Sequence, residues 1–204
     1  LGGTQWQRRV RLPLSPTQWR IASALARRQP VEHPTAADAW AGVALLIAPD
    51  PDAVLLIRRA ERVGDPWSGH IGLPGGRREP ADSDLIATAI RETEEEVGCL
   101  LDTSQLLGTL DDVWPRTPLP RVVVVRPAVF ALPDRPALRL SAEVADAFWV
   151  PLTDLQDPSR YRDTIVSLYG QDRAFPAYYL SDYIVWGLTE RVLTPVLGML
   201  GGEE

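Results

Sequence analysis

The sequence predicts an α+β domain in which a mixed β-sheet lies between helices. Three observations carry this. Short apolar runs are bounded by Pro, Gly and Asp, one segment of helical periodicity lies among them, and an apolar stretch closes the chain. Strands, one helix, more strands and a final helix do not make the regular alternation of a parallel α/β array.

Taken in order, Ser15-Pro16 opens a short helix through Trp19 to Arg27, and Pro30 and Pro34 then break the chain. Val43 to Ile47 and Ala53 to Ile57 are apolar runs flanking Pro49-Asp50-Pro51-Asp52, which predicts two strands joined by a turn. A loop rich in Gly and Pro extends from Gly64 to Pro80. Leu85 to Val97 then places Ile86, Ala89, Ile90, Thr93 and Val97 on one helical face, with Asp82 or Ser83 as the N-cap and Gly98 as the stop. Further strands are expected at Leu106 to Leu110, Val122 to Val125, Ala128 to Leu132 and Phe148 to Val150, with Pro115, Pro118 and Pro120 in a connection. Ile184 to Leu200 reads as one helix or two short ones. The expected organisation is an N-terminal extension (1–38) with a short helix, a central domain (39–155) and a C-terminal helical extension (156–204) packed on it.

Composition narrows the function. With 204 residues, 45% of them hydrophobic, the chain can bury one sizeable core. A net charge of −6 argues against nucleic acid or an anionic membrane as partner, both of which want a basic surface. All basic side chains other than His are Arg. The lone Cys99 excludes an intramolecular disulfide and a Cys-based zinc site, and His33 and His70 are too isolated to form a metal pair. Arg8, Arg9 and Arg11 interrupt the start with no apolar run after them, so no secretory leader is expected. Tyr178 to Leu200 is too polar to span a bilayer, and the cytoplasm or an organelle interior is the expected location.

The chemistry concentrates on the central helix. Residues three and four apart share a face, so Glu92, Glu95 and Glu96 are expected to converge. Like charges repel there, but a divalent cation turns repulsion into attraction, and carboxylate oxygens suit Mg²⁺ or Mn²⁺. The same run on a solvated helix face would mean nothing. Its surroundings decide: Arg91-Glu92-Thr93-Glu94-Glu95-Glu96-Val97-Gly98-Cys99, with Leu73-Pro74-Gly75-Gly76 upstream, resembles the signature of the Nudix hydrolases. The loop between Gly76 and Arg91 is one residue longer than the usual box, which leaves Asp82 or Ser83 at the place of its first acid.

The resemblance implies a Nudix-like α/β/α sandwich and hydrolysis of a phosphoanhydride bond with Mg²⁺ or Mn²⁺. Glu92 and Glu96 would be the main metal ligands with the Gly76 carbonyl nearby, and Glu95 would bind a further ion or order the attacking water. Arg91 would hold the glutamates in place. Glu143 stands before Phe148-Trp149-Val150-Pro151-Leu152, similar to a late Nudix strand, and as a loop acid it would serve as base or ligand; a plain surface Glu is the other reading. Asp82 is expected to be dispensable beside Glu92 and Glu96.

Leu55-Leu56-Ile57-Arg58-Arg59-Ala60 and Gly69-His70-Ile71-Gly72-Leu73-Pro74-Gly75-Gly76 resemble the stretch preceding the box in the coenzyme A diphosphatase group, with an insert at Asp65 to Gly69. Arg58, Arg59, Arg62 and Arg77 would meet the phosphates. His70 would touch substrate, and Trp67 and Trp114 would stack on adenine or line a pantetheine channel. The C-terminal Ile184 to Thr189 is similar to that group's final helix, packed as core or at a homodimer interface. A small-molecule nucleotide diphosphate is the expected partner. Hydrolysis of ADP-ribose, a dinucleotide or a nucleoside triphosphate, or nucleotide binding without catalysis, are the alternatives.

Overall fold

Helix α1 (Pro16–Ala26) starts where the Ser15-Pro16 pair places it. Ser15 closes a capping box: its Oγ accepts the Gln18 N–H, and the Gln18 side chain accepts the Ser15 N–H at 2.9 Å. The computed structural model describes residues 13–33, 39–63, 67–114, 123–168 and 170–201. Arg8, Arg9, Arg11, Pro34, the Gly64-Asp65-Pro66 part of the loop, Pro115, Pro118, Pro120 and Val122 lie outside the described residues.

Strands β1 (Ala39–Ala48) and β2 (Ala53–Arg59) pair antiparallel across residues 49–52. Short strands β3 (Ile71–Gly72) and β4 (Gly75–Arg77) precede helix α2 (Leu85–Val97). Then come β5 (Leu106–Thr109), β6 (Val123–Ala131), β7 (Val144–Pro151) and helix α3 (Leu152–Gln156). The chain closes with β8 (Tyr161–Leu168), β9 (Gln171–Tyr179), β10 (Ile184–Trp186) and helix α4 (Leu188–Gly201).

Strands β1 to β7 make one mixed sheet. β1 runs parallel to β6, from Ala39 opposite Val123 to Ile47 opposite Ala131, and antiparallel to β2 and β4. β2 carries β3 and β7 as antiparallel neighbours, and β5 pairs with β6. Strand periodicity sorts the β2 side chains: Val54 and Leu56 join one core cluster, Leu55 and Ile57 the other. The first cluster lies under α1 and α4 through Ile21, Leu25, Leu193 and Val196; the second lies under α2 through Ala89 and Val97. This is the expected mixed sheet between helices. Among the described residues no helix is long and apolar enough to cross a membrane.

Four expectations change. The two strands predicted at 122–125 and 128–132 are one, because Pro127 removes a single donor and its carbonyl still accepts the Leu110 N–H at 3.0 Å. The C-terminal extension is not wholly helical: β8, β9 and β10 form a second antiparallel sheet before α4 begins. The N-cap of α2 is Asp84, whose Oδ1 accepts the Ile86 and Ala87 N–H groups, rather than Asp82 or Ser83. The buried face of α2 is also turned, comprising Leu85, Thr88, Ala89, Thr93, Val97 and, unexpectedly, Glu96.

Candidate active site

The glycines bring α2 and the sheet together. Gly42 of β1 passes directly beneath the first turns of α2, where a Cβ would collide with the Leu85 carbonyl oxygen and stand 3.0 Å from the Ala89 nitrogen. Gly75 pairs with Val43 across β4 and β1 and has a φ of 152°, a conformation L side chains rarely adopt. A Cβ on Gly76 would overlap the Glu92 carboxylate. The bare backbone at Gly75-Gly76 therefore lets the helix place its acids against β4.

Asp82 and Arg91 lock that arrangement. Arg91 donates from Nε and Nη2 to the two Asp82 oxygens at 3.0 Å each, and from Nη1 to Glu92 at 3.0 Å and Glu95 at 2.9 Å. Asp82, buried, also accepts from Thr88 Oγ1 and the Glu79 N–H, both at 2.9 Å. The Arg91 guanidinium holds the Asp82 carboxyl well below the usual carboxylate range, against the opposing effect of burial. Asp82 thus anchors the residue that orients Glu92, a role that the expectation of dispensability left out. Asp82→Ala is expected to cost about 3 kcal/mol, as when one partner of a buried ion pair is removed. Urea denaturation checks this, and a wild-type midpoint would refute it.

Glu96 is the most buried of the box acids at 4% exposure, and its Oε2 accepts the Gly75 N–H at 2.9 Å. Burial pushes its pKa up to about 7; the Gly75 N–H opposes this, while Glu92 and Glu143 add to it. Glu92 is raised too, chiefly by burial, with Arg91 opposing. Glu95 stands apart, 58% exposed in its side chain and paired with Arg91 one turn back. Among the described residues no three His, Cys, Asp or Glu side chains gather as a preformed metal cage. Of the three glutamates expected to converge, Glu92 and Glu96 line the cleft beside β4, and Glu95 shares Arg91 Nη1 with Glu92 from a more exposed position.

A cleft of about 490 Å³ opens beside Glu92 and Glu96. Of the predicted site residues, Gly76, Arg59, His70, Arg77 and Glu143 line it. Arg58 does not; the pairing of β2 with β7 shifts register between Arg58 and Arg59, which breaks the regular alternation of the strand there. Trp114 is also elsewhere, edge-on to His33 at 4.6 Å between ring centroids and lining a separate hollow. Trp67 does line the cleft, with His70 between it and Trp186, at 5.7 and 5.1 Å between ring centroids. The wall formed by Trp186, Leu188, Thr189 and Val192 was not read as site from the sequence, where the segment looked like packing. Its position follows from Thr189 Oγ1 donating to the Ile71 carbonyl at 2.9 Å, which ties the start of α4 to β3.

These residues fit a hard divalent cation. Two carboxylates raised by burial and mutual repulsion gain from a cation what they lack from solvent, and oxygen donors are the kind Mg²⁺ or Mn²⁺ take.

Comparison with known proteins agrees with this geometry. The NUDIX domain family profile matches residues 39–168. An uncharacterised Nudix hydrolase, NudL, of Photorhabdus laumondii subsp. laumondii is 35% identical over 156 residues, 75% of this chain and 80% of that protein. An uncharacterised Schizosaccharomyces pombe protein is 45% identical over 113 residues, 52% of this chain and only 33% of its own length. Among solved structures, a NUDIX hydrolase from Alicyclobacillus acidocaldarius superposes with a TM-score of 0.51 at 21% identity, over 62% of this chain and 86% of that one, a likeness of fold.

Proposed function

Because the chain belongs to the Nudix family, we propose that it hydrolyses the diphosphate bond of coenzyme A, releasing 3′,5′-ADP and 4′-phosphopantetheine. One observation carries the reading: the cleft joins an acidic end at Glu92 and Glu96 to an apolar wall of Trp186, Leu188 and Val192, with Arg59 and Arg77 also lining it. A diphosphate with a long uncharged arm suits that polarity, and the run from Leu55 to Ala60 resembles the coenzyme A group. We take residues 39–155 as the catalytic domain, with α1 and the segment from 156 onward completing its core.

In this reading Glu92, Glu96 and the Gly76 carbonyl would hold Mg²⁺ or Mn²⁺, and Glu95 would join them only by leaving Arg91. The ion, when bound, neutralises diphosphate charge and acidifies water. Arg59 and Arg77 hold the phosphates, and Arg91 fixes Glu92. Glu143 accepts the proton of the attacking water as the bridging P–O bond breaks, and the departing phosphate takes the electron pair.

A panel of coenzyme A, dephospho-coenzyme A, ADP-ribose and nucleoside triphosphates, assayed with Mg²⁺ or Mn²⁺, tests the proposal. Coenzyme A should rank first, about tenfold or more above its dephospho form, as expected for one charge-assisted contact. Arg59→Ala should shrink that preference and Arg58→Ala should not. A faster ADP-ribose or triphosphate reaction rejects the substrate, and activity after exhaustive chelation rejects the metal.

A further inference from the structure

We propose that Arg62 is a positioning residue whose guanidinium holds the Glu143 carboxylate at the cleft for the reaction. This rests on the reading of Glu143 as the proton acceptor and adds what keeps it there.

The main chain at Glu143 is tied down from two directions. Its carbonyl accepts the Ala60 N–H at 2.8 Å, just past the end of β2. Two residues earlier, the Ser141 N–H donates to the carbonyl of Glu96 itself at 2.9 Å. The Glu143 backbone is thereby registered against both the strand and the helix that build the site. Its side chain has no such support from burial, being 55% exposed, although it lines the same cleft as Glu92 and Glu96. A half-exposed carboxylate gains rotamer freedom by turning towards solvent.

Arg62 opposes it. Its Nη2 lies 2.9 Å from Glu143 Oε1, and its own N–H donates to Ser68 Oγ at 2.8 Å, which fixes the loop that carries it. Both partners are about half exposed, so the pair adds little to stability and its removal should leave the fold intact. What it supplies is orientation: a fixed counter-charge 2.9 Å from one oxygen of a carboxylate that lines the cleft.

The experiment is a double-mutant cycle on the full chain with Mg²⁺ and either coenzyme A or ADP-ribose, whichever the panel ranks first. Arg62→Ala should lower kcat about tenfold, part of the 10²–10⁴ that a well-placed base contributes, with KM changed less than about threefold and an unchanged melting temperature. Arg62→Lys should recover most of the loss. In a Glu143→Gln background, Arg62→Ala should have no further effect on kcat. An equal loss in that background, or a loss confined to KM, means Arg62 acts on substrate and overturns the proposal. A wild-type rate for Glu143→Gln instead overturns the reading of Glu143 beneath it, which separates the two failures.

Discussion

Glu96→Gln should give a protein that is more stable without metal and nearly inactive with it. Burial lifts the Glu96 pKa from 4.5 to about 7, so the folded metal-free protein holds a proton that the unfolded chain gives up. The sign follows: the contribution to stability is fully present below about pH 4.5 and is lost as pH rises to about 7. Above that, the ionised group costs about 3 kcal/mol relative to an unperturbed one. Glutamine can still accept the Gly75 N–H without a charge to bury, so at pH 8 in a chelator the variant should melt several degrees higher. At pH 4.5 the gain should vanish. With Mg²⁺ or Mn²⁺ the rate should fall about 10²-fold or more, as when a strong electrostatic contact is removed from a site. Thermal melts at both pH values, beside an activity assay, check it. A lower melting temperature at pH 8 or a wild-type rate would sink the account of Glu96.

Gly42→Ala should have the largest effect on stability. A Cβ there meets backbone, the Leu85 carbonyl and the Ala89 nitrogen, with Thr88 Cβ at 3.1 Å, so α2 must lift from β1 as a unit. Overpacking of side chains costs about 1–3 kcal/mol. Moving a helix backbone should exceed that range and displace Asp82, Glu92 and Glu96 together. The contrast is Gly76→Ala, where the three atoms nearest the new methyl all belong to the Glu92 carboxylate and none to backbone. That variant should fold nearly as the parent does while losing activity. Equal melting temperatures for Gly42→Ala and the parent, measured by circular dichroism, would falsify the close approach of helix and strand.

Much of the site was legible because its chemistry is local. Helical periodicity and the stop at Gly98, whose φ of 68° suits an αL cap, bounded α2 correctly, and the box motif named Arg91, Glu92 and Glu96. What failed depends on tertiary choice. Asp82, Ser83 and Asp84 are all competent caps, and only the pull of Arg91 and Thr88 on Asp82 leaves the cap to Asp84. Spacing alone gives Glu92, Glu95 and Glu96 one sector; the contact with β4 buries Glu96 and leaves Glu95 exposed. Which of Arg58 and Arg59 reaches the cleft was not readable, since the register shift between them breaks the alternation that parity relies on. The β8–β9 hairpin gave no such signal, because Arg162, Asp163, Asp172 and Arg173 are exposed and Pro176 interrupts the second strand.

Gln18 makes the first helix part of the catalytic architecture. Its side-chain amide, almost wholly buried, donates at 2.9 Å to the carbonyls of both Ile47 and Leu132, at matching ends of β1 and β6. A gene trimmed to begin at residue 39 would keep every residue of the box and the cleft, yet take the Gln18 amide from the Leu132 carbonyl and leave Ile47 with the Leu132 N–H alone, beneath a stripped apolar face. What the sequence presents as an extension is a rivet through the central parallel pair, set outside the stretch that the motif marks.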